Sequence, residues 1–156
     1  MRPELREGDY ILALTPRHLQ WLSEALRALK RHPIVVTSVP GEFGSRSEDS
    51  FYVKRVIAVG GDRVRIEDGT LIVNDVAIPE PYAYYPSTAA KIRDVWPLAI
   101  THQTEVIIPY AKFFLLGDNR TESVDSRVWG PLDEGVVKGV VIFRWRPKFG
   151  PLKWLF

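Results

Sequence analysis

The chain has 156 residues, enough to bury one sizeable core, and its 21 lysines and arginines nearly balance 19 acids. With a net charge of +2 and no long run of one sign, it lacks the electrostatic footprint of a nucleic-acid binder. The absence of cysteine excludes disulfides and thiolate chemistry, and the scattered His18, His32 and His102 match no metal-ligand spacing, so neither a metal nor a cofactor is expected.

Twelve prolines and eleven glycines predict short strands and many turns, hence a mainly β fold. Residues 10–14 follow a Gly-Asp turn and form the first predicted strand. Thr15 is an acceptable N-cap and Pro16 suits a first helical position, so a helix is expected over 16–31, with Leu19, Leu22, Leu26 and Leu29 on one face. Its basic and apolar mixture fits either an interfacial helix or one packed on its own sheet. Strands follow at 34–36 and 51–59, separated by a Gly- and Ser-rich loop at 40–50. Asp68-Gly69 joins strands 63–67 and 70–73 as a hairpin, and Asn74-Asp75 turns the chain toward 76–78.

Between 79 and 110 five prolines break any sustained period, which reads as an excursion from the core. Strands are expected again at 105–108, 113–116 and 139–145, and the tail ends in Trp154-Leu155-Phe156 beside lysines, a composition that suits either a membrane interface or a cover for the core. No apolar stretch approaches the roughly 18 residues needed to span a bilayer.

The densest charge lies at 117–130, where three acids, two arginines and two serines sit within eleven residues between glycines, too polar for a strand. Asp and Arg at this density can form bidentate, charge-assisted contacts that make a loop rigid. The wording from Gly117 to Gly130, Gly-Asp-Asn-Arg-x-x-Ser-x-Asp-Ser-Arg-x-Trp-Gly, closely resembles the C-terminal signature of bacterial type I signal peptidases. Tyr52-Val53-Lys54-Arg55-Val56-Ile57-Ala58-Val59-Gly60-Gly61-Asp62 is similar to that family's catalytic-lysine strand. The opening Met1-Arg2-Pro3-Glu4-Leu5 resembles its nucleophile segment, Ser-Met-x-Pro-Thr-Leu. Glu4 replaces threonine, Gly60 replaces proline, and Arg31-His32-Pro33 stands where the family often has Arg-Gly-Asp.

The resemblance implies a signal-peptidase-like β fold, akin to LexA-type Ser/Lys proteases, with one inserted helix. It divides the chain into a catalytic core of 1–79 and 111–156 and a variable excursion at 80–110. It implies a serine endopeptidase that removes signal peptides from preproteins at the outer face of the cytoplasmic membrane, in contact with the lipid surface. Lys54 falls on the general base and Ser123 on the serine that orients it. Asp118, Arg120, Asp125 and Arg127 fall on positions that support the site, and Met1, Leu5, Tyr52 and Val53 on the substrate groove. A lysine with the ordinary pKa near about 10.4 is charged at neutral pH, so Lys54 must be desolvated to act as a base, as the apolar neighbours Phe51, Val53, Val56 and Ile57 would allow. Met1 matches the methionine that follows the nucleophilic serine, so that serine, the oxyanion donors and a membrane anchor are expected upstream, and a chain starting at Met1 is expected to be inert. The alternatives are a catalytically dead homologue that binds exported peptides or a membrane partner, and a self-cleaving repressor relative, against which the signature and the lack of a DNA-binding segment both count.

Overall fold

A computed structural model of the chain describes residues 1, 4–15, 32–39, 51–67, 70–85 and 105–146. The helix expected over 16–31, the loop at 40–50, the Asp68-Gly69 turn, most of the excursion and the tail from 147 lie outside the described residues. The described part is mainly β, as the composition predicts. One six-stranded sheet has the order β1-β10-β2-β3-β8-β9, and a second, four-stranded sheet has the order β6-β5-β4-β7. The strands are β1 Tyr10–Leu14, β2 Ile34–Ser38, β3 Phe51–Val59, β4 Arg63–Glu67, β5 Thr70–Val73, β6 Val76–Ala77, β7 Glu105–Ile107, β8 Lys112–Leu116, β9 Leu132–Asp133 and β10 Val137–Trp145. All of the strand pairings within the two sheets are antiparallel.

Strand β8 explains how the two sheets share a core. Its Phe113-Phe114-Leu115-Leu116 run shows no polar alternation because both faces are covered. Phe114 and Leu116 pack with Ile57, Val64, Leu71 and Ile108 toward the second sheet. Phe113 and Leu115 pack with Val35, Val56, Trp129 and Val137 on the other side. The strand that delivers the charged loop is therefore held on both faces, which fixes where the loop begins.

The turns are built from local chemistry. Asn74 and Asp75 both adopt positive φ, 51° and 65°, the backbone of a tight primed hairpin turn. After β3, Asp62 closes the corner by accepting from the Val59 N–H at 2.8 Å and from the Asn74 side chain at 2.8 Å. The excursion returns to the fold through β7, which pairs with β4. The polar stretch 117–130, read from sequence as loop alone, also contains a single helical turn, α1 Ser126–Trp129. Asp125 caps it by accepting from the Arg127 N–H, a signal that Asp125-Ser126 carries in the sequence.

Gly60 sits where the β3–β4 corner meets the loop before β8. A Cβ there would lie 2.7 Å from the Tyr110 Cα and 2.8 Å from the Pro109 carbonyl oxygen, both backbone atoms that cannot rotate aside. Gly60→Ala is expected to destabilise the fold by about 1–3 kcal/mol through overpacking. Urea unfolding should show a lower midpoint with an unchanged slope; an unchanged midpoint would mean that the corner yields freely.

Candidate active site

The loop after β8 is shaped by one buried acid-base pair. Asp125 and Arg127 meet through two hydrogen bonds, Nε to Oδ1 and Nη2 to Oδ2, each 2.8 Å. The same carboxylate accepts from the Gly117 N–H at 2.9 Å. The Arg127 guanidinium also donates to the backbone carbonyls of Arg120, at 2.6 Å, and Ser123, at 3.1 Å. Ser126 accepts from the Leu115 N–H at 2.9 Å, tying α1 to β8. Arg120, wholly buried, donates to the Gly117 carbonyl at 3.0 Å and pairs with Glu80. A short parallel bridge between Tyr84 and Asn119 docks the segment that carries Glu80 onto the loop.

This scaffold presents Ser123 to Lys54. The Lys54 Nζ lies 2.9 Å from the Ser123 Oγ. Lys54 is 9% exposed, and its amine stands 5.6 Å from the centre of the Trp129 ring and 6.0 Å from that of Tyr52. The two rings pack edge to face at 5.7 Å. The apolar walls thus come from Tyr52 and Trp129, whereas Phe51, which the sequence offered as a neighbour, is 61% exposed. Burial pushes the Lys54 amine below its ordinary value of 10.5; Asp125 and Asp118 oppose this, and Arg127 reinforces it. At 5.6–6.0 Å the rings lie near the outer reach of a cation–π contact, so they act chiefly as low-dielectric walls.

Gly117 is required by this geometry. A Cβ there would sit 2.0 Å from the Ser123 Oγ and 3.6 Å from the Lys54 Nζ, so any side chain would occupy the space of the hydroxyl. Sequence reading gave this glycine only as the start of the signature stretch, since the contact with Ser123 is made across the loop.

Arg55, adjacent to Lys54 and pointing to the opposite face of β3, is the residue that sequence reasoning missed. Its guanidinium makes a bidentate pair with buried Asp118, both contacts 2.8 Å, donates to the His32 carbonyl at 2.8 Å and also pairs with Glu4. It stacks 4.0 Å over the Tyr82 ring, whose buried phenol is pushed up to about 12. The loop therefore straddles β3, with Asp118 on Arg55 and Ser123 on Lys54. Of the residues read as a groove, Tyr52 shares the Lys54 face while Val53 alternates to the Arg55 face. Leu5 is buried and lines, with Glu4, Ile34, Arg55 and Arg144, a cavity of about 400 Å³. Half-buried Met1 closes a turn onto it, its carbonyl accepting from the Leu5 N–H at 2.9 Å.

Because the folded-state amine of Lys54 is depressed, the unfolded chain binds the extra proton, and wild-type stability rises with pH between the folded value and 10.5. Lys54→Met is accordingly expected to stabilise the fold at neutral pH, by a margin that shrinks as pH approaches 10.5. Denaturant titrations at neutral and high pH check this; a margin that grows with pH would contradict it.

A family model described as "Signal peptidase, peptidase S26" matches residues 1–146. Thylakoidal processing peptidase 1, chloroplastic, of Arabidopsis thaliana is 32% identical over 94% of this chain and 39% of its own length. Signal peptidase IB of Staphylococcus aureus strain MRSA252 is 38% identical over 67% of this chain and 58% of its own. The chain thus spans between about two fifths and three fifths of the length of these relatives. The crystal structure of a signal peptidase I from Enterococcus faecalis V583 superposes with a TM-score of 0.56 at 28% identity, covering 72% of this chain and 95% of that one. With the family model spanning nearly the whole chain and a signal peptidase structure sharing its fold, the chain belongs to the signal peptidase family, peptidase S26.

Proposed function

We propose that this chain is the catalytic part of a signal peptidase that cuts signal peptides from exported preproteins with a serine nucleophile and Lys54 as general base. The observation that carries the reading is the buried Lys54 amine held 2.9 Å from the Ser123 hydroxyl. An uncharged amine there can take the proton of an attacking serine as its oxygen adds to the scissile carbonyl, then return it to the leaving amine. Ser123 fixes the direction of the amine, and Asp118, Arg120, Asp125 and Arg127 shape the loop that carries Ser123. In the family pattern Ser-Met-x-Pro the nucleophile directly precedes the residue matched by Met1, so its hydroxyl, and the backbone N–H that would stabilise the oxyanion, belong one position upstream. A substrate in extended form would lie along β3 at Tyr52 and Val53, with Met1 and Leu5 beside it; β8 joins that strand only from Arg55 onward.

The site would act at the extracytoplasmic face of a membrane, held by an upstream anchor. Among the described residues no helix is long and apolar enough to cross a membrane. The paired strands β1 and β10 expose Tyr10, Leu12, Phe143 and Trp145, and Tyr10 and Trp145 stack at 5.6 Å. Such an exposed aromatic ribbon suits the headgroup boundary of a bilayer.

A chain bearing serine and several further residues before Met1 is expected to cleave a preprotein with alanine at the first and third positions before the cut, and the chain starting at Met1 is not. Lys54→Ala should abolish cleavage and Ser123→Ala should lower kcat about a hundredfold or more. A folded, extended chain that stays inert overturns the reading. Leu12→Glu is expected to weaken sedimentation with anionic vesicles while leaving cleavage of a soluble peptide unchanged. Equal sedimentation of both forms would remove the ribbon from the lipid surface.

A further inference from the structure

Glu4 stands where the family pattern has threonine, and it is held at both ends. Its carboxylate pairs with Arg55 of β3, and its carbonyl accepts from Arg144 of β10. Two residues later the same segment is tied again, as the Arg6 N–H donates to Asp9 at 2.9 Å and Asp9 pairs with Arg146 at 2.6 and 2.7 Å. Arg55 in turn holds Asp118, the residue after Gly117, so one guanidinium links the Met1–Leu5 turn, the lysine strand and the signature loop.

We infer that Glu4 is a positioning residue, which sets the place of Met1, and hence of any nucleophile joined to it, relative to Lys54 through the Glu4–Arg55–Asp118 bridge. The inference rests on the proposed Ser/Lys mechanism for its consequence, though not for its geometry. Threonine is too short to span a guanidinium in this way, so the device belongs to this chain and not to the family pattern. It differs from a stabilising ion pair in a definite respect. The Glu4 side chain is 45% exposed, and such pairs contribute little to stability. Removing it leaves Arg55 still paired with Asp118, bonded to the His32 carbonyl and stacked on Tyr82, so no buried charge is orphaned. What is lost is the side-chain tether to β3, leaving the segment held by its carbonyl bond to Arg144, and a displacement of about 1 Å in a reacting group can cost a hundredfold in rate.

Met1 is the single methionine of the chain, so its methyl group labelled with carbon-13 gives one NMR signal that reports the position of the turn. In the parent the signal is expected away from the position of free methionine. Glu4→Ala should move it toward that position, Glu4→Gln, which keeps an acceptor, should move it less, and Arg144→Ala should move it in the same direction. The melting temperature of Glu4→Ala should stay close to that of the parent. In the serine-extended chain Glu4→Ala should lower kcat about tenfold or more with KM within about twofold. The inference is overturned if the Met1 signal of Glu4→Ala stays where it is in the parent. It is overturned equally if the signal moves only together with a loss of global stability, or if kcat is unchanged in an active extended chain. Should the extended parent itself fail to cleave, the Ser/Lys reading fails, and the Met1 signal still decides whether Glu4 positions the turn.

Discussion

The structure depends on burying one amine, its pKa held below the ordinary lysine value, beside two carboxylates. Asp118 and Asp125 both act on Lys54 in the sense that favours the ammonium, and an unpaired carboxylate near a buried lysine would fix it in the charged, non-basic form. Each carboxylate instead has its own guanidinium: Arg55 holds Asp118 and Arg127 holds Asp125, all four contacts at 2.8 Å. With the acids neutralised in pairs, burial between Tyr52 and Trp129 prevails. Buried ion pairs of this kind are weak evidence for stability, since desolvating both partners offsets much of their attraction. Their use here is electrostatic and geometric, because the same guanidiniums bind the backbone carbonyls that shape the loop.

Geometry follows from that pairing. The loop between β8 and α1 has almost no apolar side chain to pack, so its shape is set by the Gly117 N–H donating to Asp125 and by Arg127 and Arg120 donating to backbone carbonyls. It begins from a strand buried on both faces and ends in a capped helical turn, which limits its freedom at each end. Gly117 then leaves open the volume that the Ser123 hydroxyl occupies. A site assembled this way tolerates little substitution within the loop, while the sheet around it is ordinary hydrophobic packing.

Much of this was legible in the sequence, for identifiable reasons. Strand patterns at 10–14, 51–59, 63–67 and 70–73 are local, and so is the turn Asn74-Asp75, so period and turn chemistry suffice. The signature at 117–130 announces a rigid loop through its density of Asp and Arg. What escaped depends on long-range contact: that Arg55, 63 residues from Asp118, serves that acid; that Glu80 meets Arg120, 40 residues away; that Trp129 and Tyr52, not Phe51, wall the lysine. The helical turn α1 was hidden by its own polarity, since a one-turn helix has no apolar period and only its Asp125 cap marks it.

The central claim is that Lys54 is available as an uncharged base. The direct measurement is an NMR titration of the lysine side chains labelled with nitrogen-15 and carbon-13, with the Lys54 signal assigned by its loss in Lys54→Met. The account predicts that Lys54 titrates clearly below 10.5, the ordinary lysine value, while the exposed lysines titrate near it. A Lys54 amine that titrates at or above 10.5 would contradict the account.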